Sequence, residues 1–296
     1  RERGLPLSSS PLHVWLRRLP DAKCVPPRGR RALSSGSESS TMRPAAPAVR
    51  YELRRADVLR AGELGRQLGI GASLAQVLLN RGLEVEQAAD FLAPTLSSLS
   101  RPDSMIDLEA AAQRLARAVG DGEKVVVFGD YDVDGTTSTA ILSEILQKLG
   151  GKVEAFTANR FEGGYGFSDP ALERALGLGP SVIVTCDCGS SDHARVARAA
   201  AEGVDVIVVD HHLVPAEPLP ALAFLNPHRP DCGFPFKGLC SAGLALHLGA
   251  AVRRVLGVEL KMRSWLDLVA LGTIADVAPL NDDNRALTHV GLKVLA

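Results

Sequence analysis

The chain has 296 residues, 46% of them hydrophobic, enough to bury one α/β core with a smaller helical appendage. No apolar run reaches the roughly 18 residues a membrane span needs, so no membrane association is expected. The formal net charge of -1 gives no global attraction to a polyanion, so any nucleic-acid binding must come from a local patch or from elsewhere in a longer chain.

In chain order, residues 1–48 read as a disordered or non-native leader. Residues 1–41 are rich in Arg, Ser and Pro, poor in acids and without helical or strand period. A transit peptide has this composition; an extension upstream of a start at Met42 is the favoured reading, because ordered patterning begins soon after it. Residues 49–120 form an N-terminal helical segment, in which "LGRQLGIGASLAQVLLNRGL", "EVEQAADFLAP" and "DLEAAAQRLARAVGDG" place Leu, Ala and Val at three- and four-residue spacings.

The texture then changes. "KVVVFG", "KVEAFTAN", "SVIVTCD", "VDVIVVD" and "ALAFLNP" are short runs, apolar nearly throughout and separated by helical stretches. Strands of that kind belong to a parallel sheet covered on both faces, so residues 121–280 are expected to form a doubly wound, mainly parallel five-stranded α/β domain. Two more helices are expected near 241–256 and 264–271. Residues 281–296 read as the start of a connector to a further domain, because the chain stops at Ala296 inside a helical pattern.

In such a sheet a ligand sits beyond the carboxyl ends of the strands, and here those ends are acidic. The first is followed by "GDYDVDGTT" with Asp130, Asp132 and Asp134, the third by Asp187, and the fourth by Asp210, His211 and His212. Carboxylates converging on one edge repel one another unless a cation neutralises them. A calcium loop is excluded, because the position that should supply a bidentate Glu is Ile141 and a strand precedes the loop. A haloacid-dehalogenase nucleophile would follow its strand directly, whereas here three residues intervene. Asp210 is placed to fix the tautomer of one following imidazole. "LVALGTIADVAPLNDDNR" adds Asp276 as an oxygen donor and Arg285 as a cation suited to phosphate. Arg160 and Tyr165, in a Gly-rich loop, are candidates to hold a phosphate or stack a base. Of the five cysteines, Cys186 and Cys188 form C-x-C, which lacks zinc-knuckle spacing, and reduced thiols in a cytoplasmic protein are expected.

Together, "GDYDVDGTT", "CDCG", "VVDHH" and "GTIADVAPLNDDNR" resemble the four motifs of the DHH phosphoesterase superfamily, over about residues 49–296. "ANRFEGGYGFS", "NPHRPDC" and "GLCSAGLAL" resemble its RecJ branch in particular. The resemblance implies that Asp132, Asp134, Asp187, His211 and Asp276 hold two Mn²⁺ or Mg²⁺ ions, with Asp187 bridging them. It implies that His212 faces the scissile phosphate and that Asp130 is a ligand or a hydrogen-bond acceptor behind the ligands. Several DHH branches carry His where this chain has Phe128, so the first ion is expected to be held more weakly or completed by water. The activity implied is 5′-to-3′ digestion of single-stranded DNA to mononucleotides in repair and recombination, with a single-strand-binding protein or a helicase as partner. Oligonucleotide or cyclic-dinucleotide phosphodiesterases, pyrophosphatase relatives and non-catalytic replication scaffolds share the motifs and stand as alternatives.

Overall fold

The computed structural model describes residues 56–159, 161 and 166–296. The leader at 1–48, together with Arg160 and Tyr165, lies outside the described residues. The chain divides into two compact units, one ending at Ala88 and one spanning Ala89–Ala296.

In the first unit, α1 (Val58–Leu68) starts where the Asp57 carboxylate accepts the Arg60 amide at 3.0 Å. It ends at Gly69, whose φ of 66° is left-handed. The apolar pattern over 64–83 is therefore not one helix: Gly69-Ile70-Gly71 breaks it, and α2 (Ala72–Asn80) starts afresh. Next in the chain, α3 spans Val85–Leu92.

The second unit is built on five parallel strands, and the doubly wound expectation holds. After α4 (Leu108–Asp121) come β1 (Lys124–Gly129), α5 (Val133–Lys148), β2 (Lys152–Thr157), α6 (Asp169–Gly177), β3 (Val182–Cys186), α7 (His193–Ala201), β4 (Asp205–Val209) and β5 (Ala223–Leu225). The chain continues through α8 (Ser241–Leu256), α9 (Leu266–Ala275) and α10 (Asp282–Leu295). The sheet order is β2-β1-β3-β4-β5. The chain thus steps from β1 outward to β2, then returns to β3 on the other side of β1, which makes the β1/β3 boundary the topological switch point.

Alternation along the strands sorts the core into two layers. Val125, Val127, Val182, Val184, Ile207 and Val209 pack with residues of α4, α5, α8, α9 and α10. Val126, Phe128, Ile183, Val206 and Val208 pack with residues of α6 and α7. Phe128, at the position where other branches carry His, is fully buried and contacts the Phe156 and Phe167 rings at centroid distances of 5.2 and 5.4 Å. In this chain it is core. Only β2 is partly exposed, and its edge carries Lys152 and Glu154, as edge strands commonly do. The helices α4 and α10 pack in this same unit, α4 on α8 and α10 on α9, so Asp282–Leu295 forms a docked helix here.

One buried base reports on this packing. His247 of α8 meets the Phe234 ring edge-on at 5.9 Å, and its Nε2 is buried with no hydrogen-bond partner among the described residues. Burial lowers its pKa from 6.5 to about 4. The folded state therefore binds fewer protons than the unfolded state inside that window. The stability contribution is complete above the unfolded pKa and is lost as pH falls toward the folded one, up to about 3 kcal/mol. The urea midpoint should fall between pH 6.5 and 4.5, and His247→Leu should flatten that fall; an unaltered slope would show that the ring is solvated.

Candidate metal centre

The register of the sheet lines up the functional positions. Gly129 pairs with Cys186, Cys186 with Val209, and Val209 with Leu225, so Asp130, Asp187, Asp210 and Asn226 form one row just beyond the carboxyl edge. The row is backbone-bonded: the amides of Asp130, Asp187 and Asp210 donate to the carbonyls of Cys186, Val209 and Leu225. Four strands thus each present a polar side chain at the same height, starting at the switch point.

Each acid is then aimed by its own turn. The Asp130 carboxylate accepts the Tyr131 amide at 2.8 Å, and Asp132 caps α5 by accepting the Gly135 amide at 2.9 Å. Asp187 has a φ of 62°, a left-handed conformation that Asp tolerates better than most residues. Gly189, two residues on, has a φ of 113°, and a Cβ there would lie 2.6 Å from Thr185 Oγ1, so this turn accepts only glycine without displacement.

Asp210 is the best-satisfied member. Its Oδ1 accepts the His211 and His212 amides and His212 Nδ1 at 2.8, 3.2 and 2.7 Å, and its Oδ2 accepts the Ser190 amide at 3.0 Å. Burial alone would raise its pKa; the bonds from His212 and Ser190 outweigh burial and hold it below the ordinary range. Asp210 in turn raises the His212 pKa and fixes His212 Nδ1 inward. His212 is therefore the ring whose tautomer Asp210 sets.

His211 has a different environment. Its Nε2 lies 3.2 Å from Asp187 Oδ1, 3.7 Å from Asp134 Oδ2 and 3.9 Å from Asp276 Oδ2, yet it is buried with no aligned hydrogen-bond partner among the described residues. Asp130 Oδ2 is in the same condition. Burial raises the Asp187 pKa, the adjacent His211 ring offsets part of the rise, and neighbouring Asp134 and Asp132 add to it. The pKa values of Asp130 and Asp276 are raised by burial as well.

Among the described residues, two groups of donor atoms lie close enough to hold an ion: Asp130 with Asp132 and Asp187, and Asp187 with His211 and His212, all within 4.8 Å of one another in each group. Asp187 belongs to both. Oxygen-rich donors with one or two imidazoles suit hard divalent cations such as Mn²⁺ or Mg²⁺. The buried, unaligned nitrogen of His211 and oxygen of Asp130 fit such ions better than they fit a site closed by protein alone.

Asp134 is placed otherwise. Both its oxygens accept backbone amides at the start of α8, Ser241 at 2.7 Å and Ala242 at 2.9 Å, so it joins α5 to the α8 N-terminus beside the cluster. Asp276, at the C-terminal end of α9, approaches from the other side. Arg285, expected at the phosphate, has a bracing position: its Nε donates to the Phe91 carbonyl and its guanidinium lies 3.4 Å from the Phe91 ring centroid. A planar cation over an aromatic face satisfies that group within the fold. The cysteines Cys186, Cys188, Cys232 and Cys240 are buried free thiols, with Cys188 packed beside Asp187.

Sequence reasoning missed three supports. Ser190 holds Asp210, and Ser241 Oγ donates to Asp187 at 3.2 Å. Asn226, fully buried, donates to the His212 carbonyl at 2.9 Å and to Ser190 Oγ at 3.2 Å. The Asn226 signal was present in sequence, since it follows the fifth apolar run as the acids follow the others.

A doubly wound domain with a cation-ready carboxyl edge at its switch point defines the class structurally. The chain belongs to the DHH family, whose N-terminal domain matches residues 124–273. The chain is 38% identical over 251 residues to the single-stranded-DNA-specific exonuclease RecJ of Bacillus subtilis, covering 83% of this chain and 31% of that protein. It is 41% identical over 239 residues to RecJ of Haemophilus influenzae, covering 77% of this chain and 42% of that one. A crystal structure of RecJ with Mn²⁺ from Thermus thermophilus superposes with a TM-score of 0.65 at 34% identity, covering 79% of this chain and 33% of that one. A manganese-bound exonuclease RecJ gives 0.59 at 39% identity, covering 64% and 48%. The chain therefore spans about a third to a half of the length of the relatives it matches.

A glycine controls the spacing of this centre. A Cβ on Gly272 of α9 would lie 2.6 Å from Thr137 Oγ1 and 2.8 Å from both Asp134 Oδ1 and the Ala242 methyl. Gly272→Ala should cost about 1–3 kcal/mol in urea unfolding, as overpacked sites do. It should also weaken Mn²⁺ binding in calorimetry, because the displaced Asp134 abuts His211. Wild-type Mn²⁺ affinity in a destabilised Gly272→Ala protein would separate Asp134 from the centre.

Proposed function

We propose that the chain is the catalytic DHH domain of a single-stranded-DNA exonuclease that hydrolyses phosphodiester bonds with two Mn²⁺ or Mg²⁺ ions. The observation that carries this reading is the placement of Asp187 in two donor groups at once, a geometry suited to a bridged ion pair. Bound there, such a pair supplies an activated water and charge stabilisation for the attacking and leaving oxygens.

The chain's own residues divide the remaining work. Asp130, Asp132, Asp187 and His211 hold the cations, with Asp134 and Asp276 completing the ring of carboxylates around His211. His212, half-exposed and held at Nδ1 by Asp210, offers its other nitrogen to a phosphoryl oxygen, and the raised pKa that Asp210 gives it favours the charged form. Asp210 acts through His212 by orientation and charge. Arg160 and Tyr165, which lie between β2 and α6 in the sequence, are proposed phosphate and base contacts. The 5′-to-3′ polarity, mononucleotide products and work in repair and recombination follow from the resemblance to RecJ, as do a single-strand-binding protein or helicase as partners. The four buried free thiols agree with a cytoplasmic location, and no described helix is long and apolar enough to cross a membrane.

The test is incubation of 5′-labelled single-stranded DNA, duplex DNA and a dinucleotide with Mn²⁺ and with chelator. Mn²⁺-dependent loss of the single strand supports the reading. Hydrolysis of the dinucleotide alone points to a small-substrate phosphodiesterase, and binding without hydrolysis to a scaffold. Within the active protein, His211→Ala should lose Mn²⁺ in calorimetry, whereas His212→Ala should keep it and lose about 100-fold or more in kcat. Retention of the ion by both variants would overturn this division.

A further inference from the structure

Beside the metal centre lies a cleft of about 400 Å³ whose wall includes His211 and Asp276 of the centre together with His228, Lys237 and the segment Val277–Pro279. Its lining has three nitrogen bases and one carboxylate, the reverse of the balance in the acidic row. None of the roles given above uses His228 or Lys237.

The cleft is built from fixed parts. On one wall, the Asn226 side-chain oxygen accepts the His228 amide at 2.8 Å, while its Nδ2 holds the His212 carbonyl, so one buried side chain sets both imidazole-bearing segments. Lys237 Nζ donates to the Cys232 carbonyl at 2.7 Å, which keeps the ammonium at the rim, and an ammonium has two further N–H groups to give. Fully buried Asn284 closes the two walls on each other, its Nδ2 donating to Gly238 at 2.6 Å and to Pro279 at 3.1 Å. The segment after Asp276 is strained: Val277 has a φ of 58°, which a β-branched residue rarely adopts, and it is 86% exposed. Strain of that kind persists where the surroundings impose it, and it gathers at binding sites.

We infer that this cleft is an anion subsite in which His228 and Lys237 bind the non-bridging oxygens of the phosphodiester next to the scissile one. The inference rests on the phosphodiesterase reading above. Lys237 supplies charge and His228 a ring nitrogen, both to an oxygen pair that a strand leaving the metal centre would bring past His211. The His228 ring makes no hydrogen bond among the described residues, so it can be removed without unfastening the fold.

The experiment compares two substrates in Mn²⁺: the dinucleotide dTpdT, with one phosphodiester, and oligo(dT) of ten residues. For His228→Ala and Lys237→Gln, the KM for the longer strand should rise about tenfold, the worth of one charge-assisted contact, with kcat within about twofold. The KM for dTpdT should stay at the wild-type value, since dTpdT has nothing to place in the subsite. A merely structural role would impair both substrates alike, and that result, or wild-type kinetics on both, overturns the inference. Lys237→Gln can loosen the Cys232 turn, so His228→Ala decides. If the wild-type protein cleaves neither substrate, the phosphodiesterase reading fails separately. The subsite is then judged by fluorescence anisotropy with labelled trithymidylate on the Mn²⁺-loaded protein: weaker binding by His228→Ala supports it, and equal binding refutes it.

Discussion

Repulsion among carboxylates crowded at the sheet's carboxyl edge is the constraint on which the centre depends. Parallel pairing in register brings Asp130, Asp187 and Asp210 to one height at the switch point, and the α5 cap adds Asp132 and Asp134. Each would be stable alone in water. Gathered and buried, they must be satisfied by protein donors or by cations, because an uncompensated buried charge costs several kcal/mol.

The fold answers that constraint in two ways. Asp210 and Asp134 are satisfied by protein: Asp210 takes four hydrogen bonds and Asp134 takes two amides at the start of α8. These two acids act as fasteners, Asp210 for the His211-His212 turn and Asp134 between α5 and α8. Among the described residues Asp130 Oδ2 is left without a donor, the Asp187 carboxylate accepts Ser241 Oγ, and His211 Nε2 points among three carboxylates without an aligned bond. The incomplete members adjoin one another, which is the condition for ion binding. Close packing enforces this arrangement, since Gly272 lets α9 approach Asp134 and Gly189 lets the Asp187 turn lie against Thr185.

The strands and the acidic row were legible in sequence because both depend on local pattern. A fully buried parallel strand must be apolar throughout, and a residue that follows such a run must lie at the edge. The break at Gly69 was legible in principle but hidden by apolar spacing that continues across it. Arg285 shows the limit of reading a motif by residue type, because a guanidinium suited to phosphate is equally suited to a carbonyl and an aromatic face, and only folding brings Phe91 to it. Asn226 and Asn284 hold backbone carbonyls 5 to 46 residues away, Ser190 gives its own amide to Asp210, and no spacing rule reports such partners.

The account's central claim is that cations relieve the crowding at Asp187, and the direct measurement is urea unfolding of wild-type protein and Asp187→Asn with and without Mn²⁺. Asn suits the left-handed φ at this position and keeps the shape while removing the charge. The account predicts that Mn²⁺ at a hundredfold over its Kd stabilises the wild-type protein by about 2.7 kcal/mol per site. It predicts that Asp187→Asn is at least as stable as wild type without metal and gains little from Mn²⁺. A wild-type protein indifferent to Mn²⁺, or an Asp187→Asn protein stabilised as much as wild type, would contradict it.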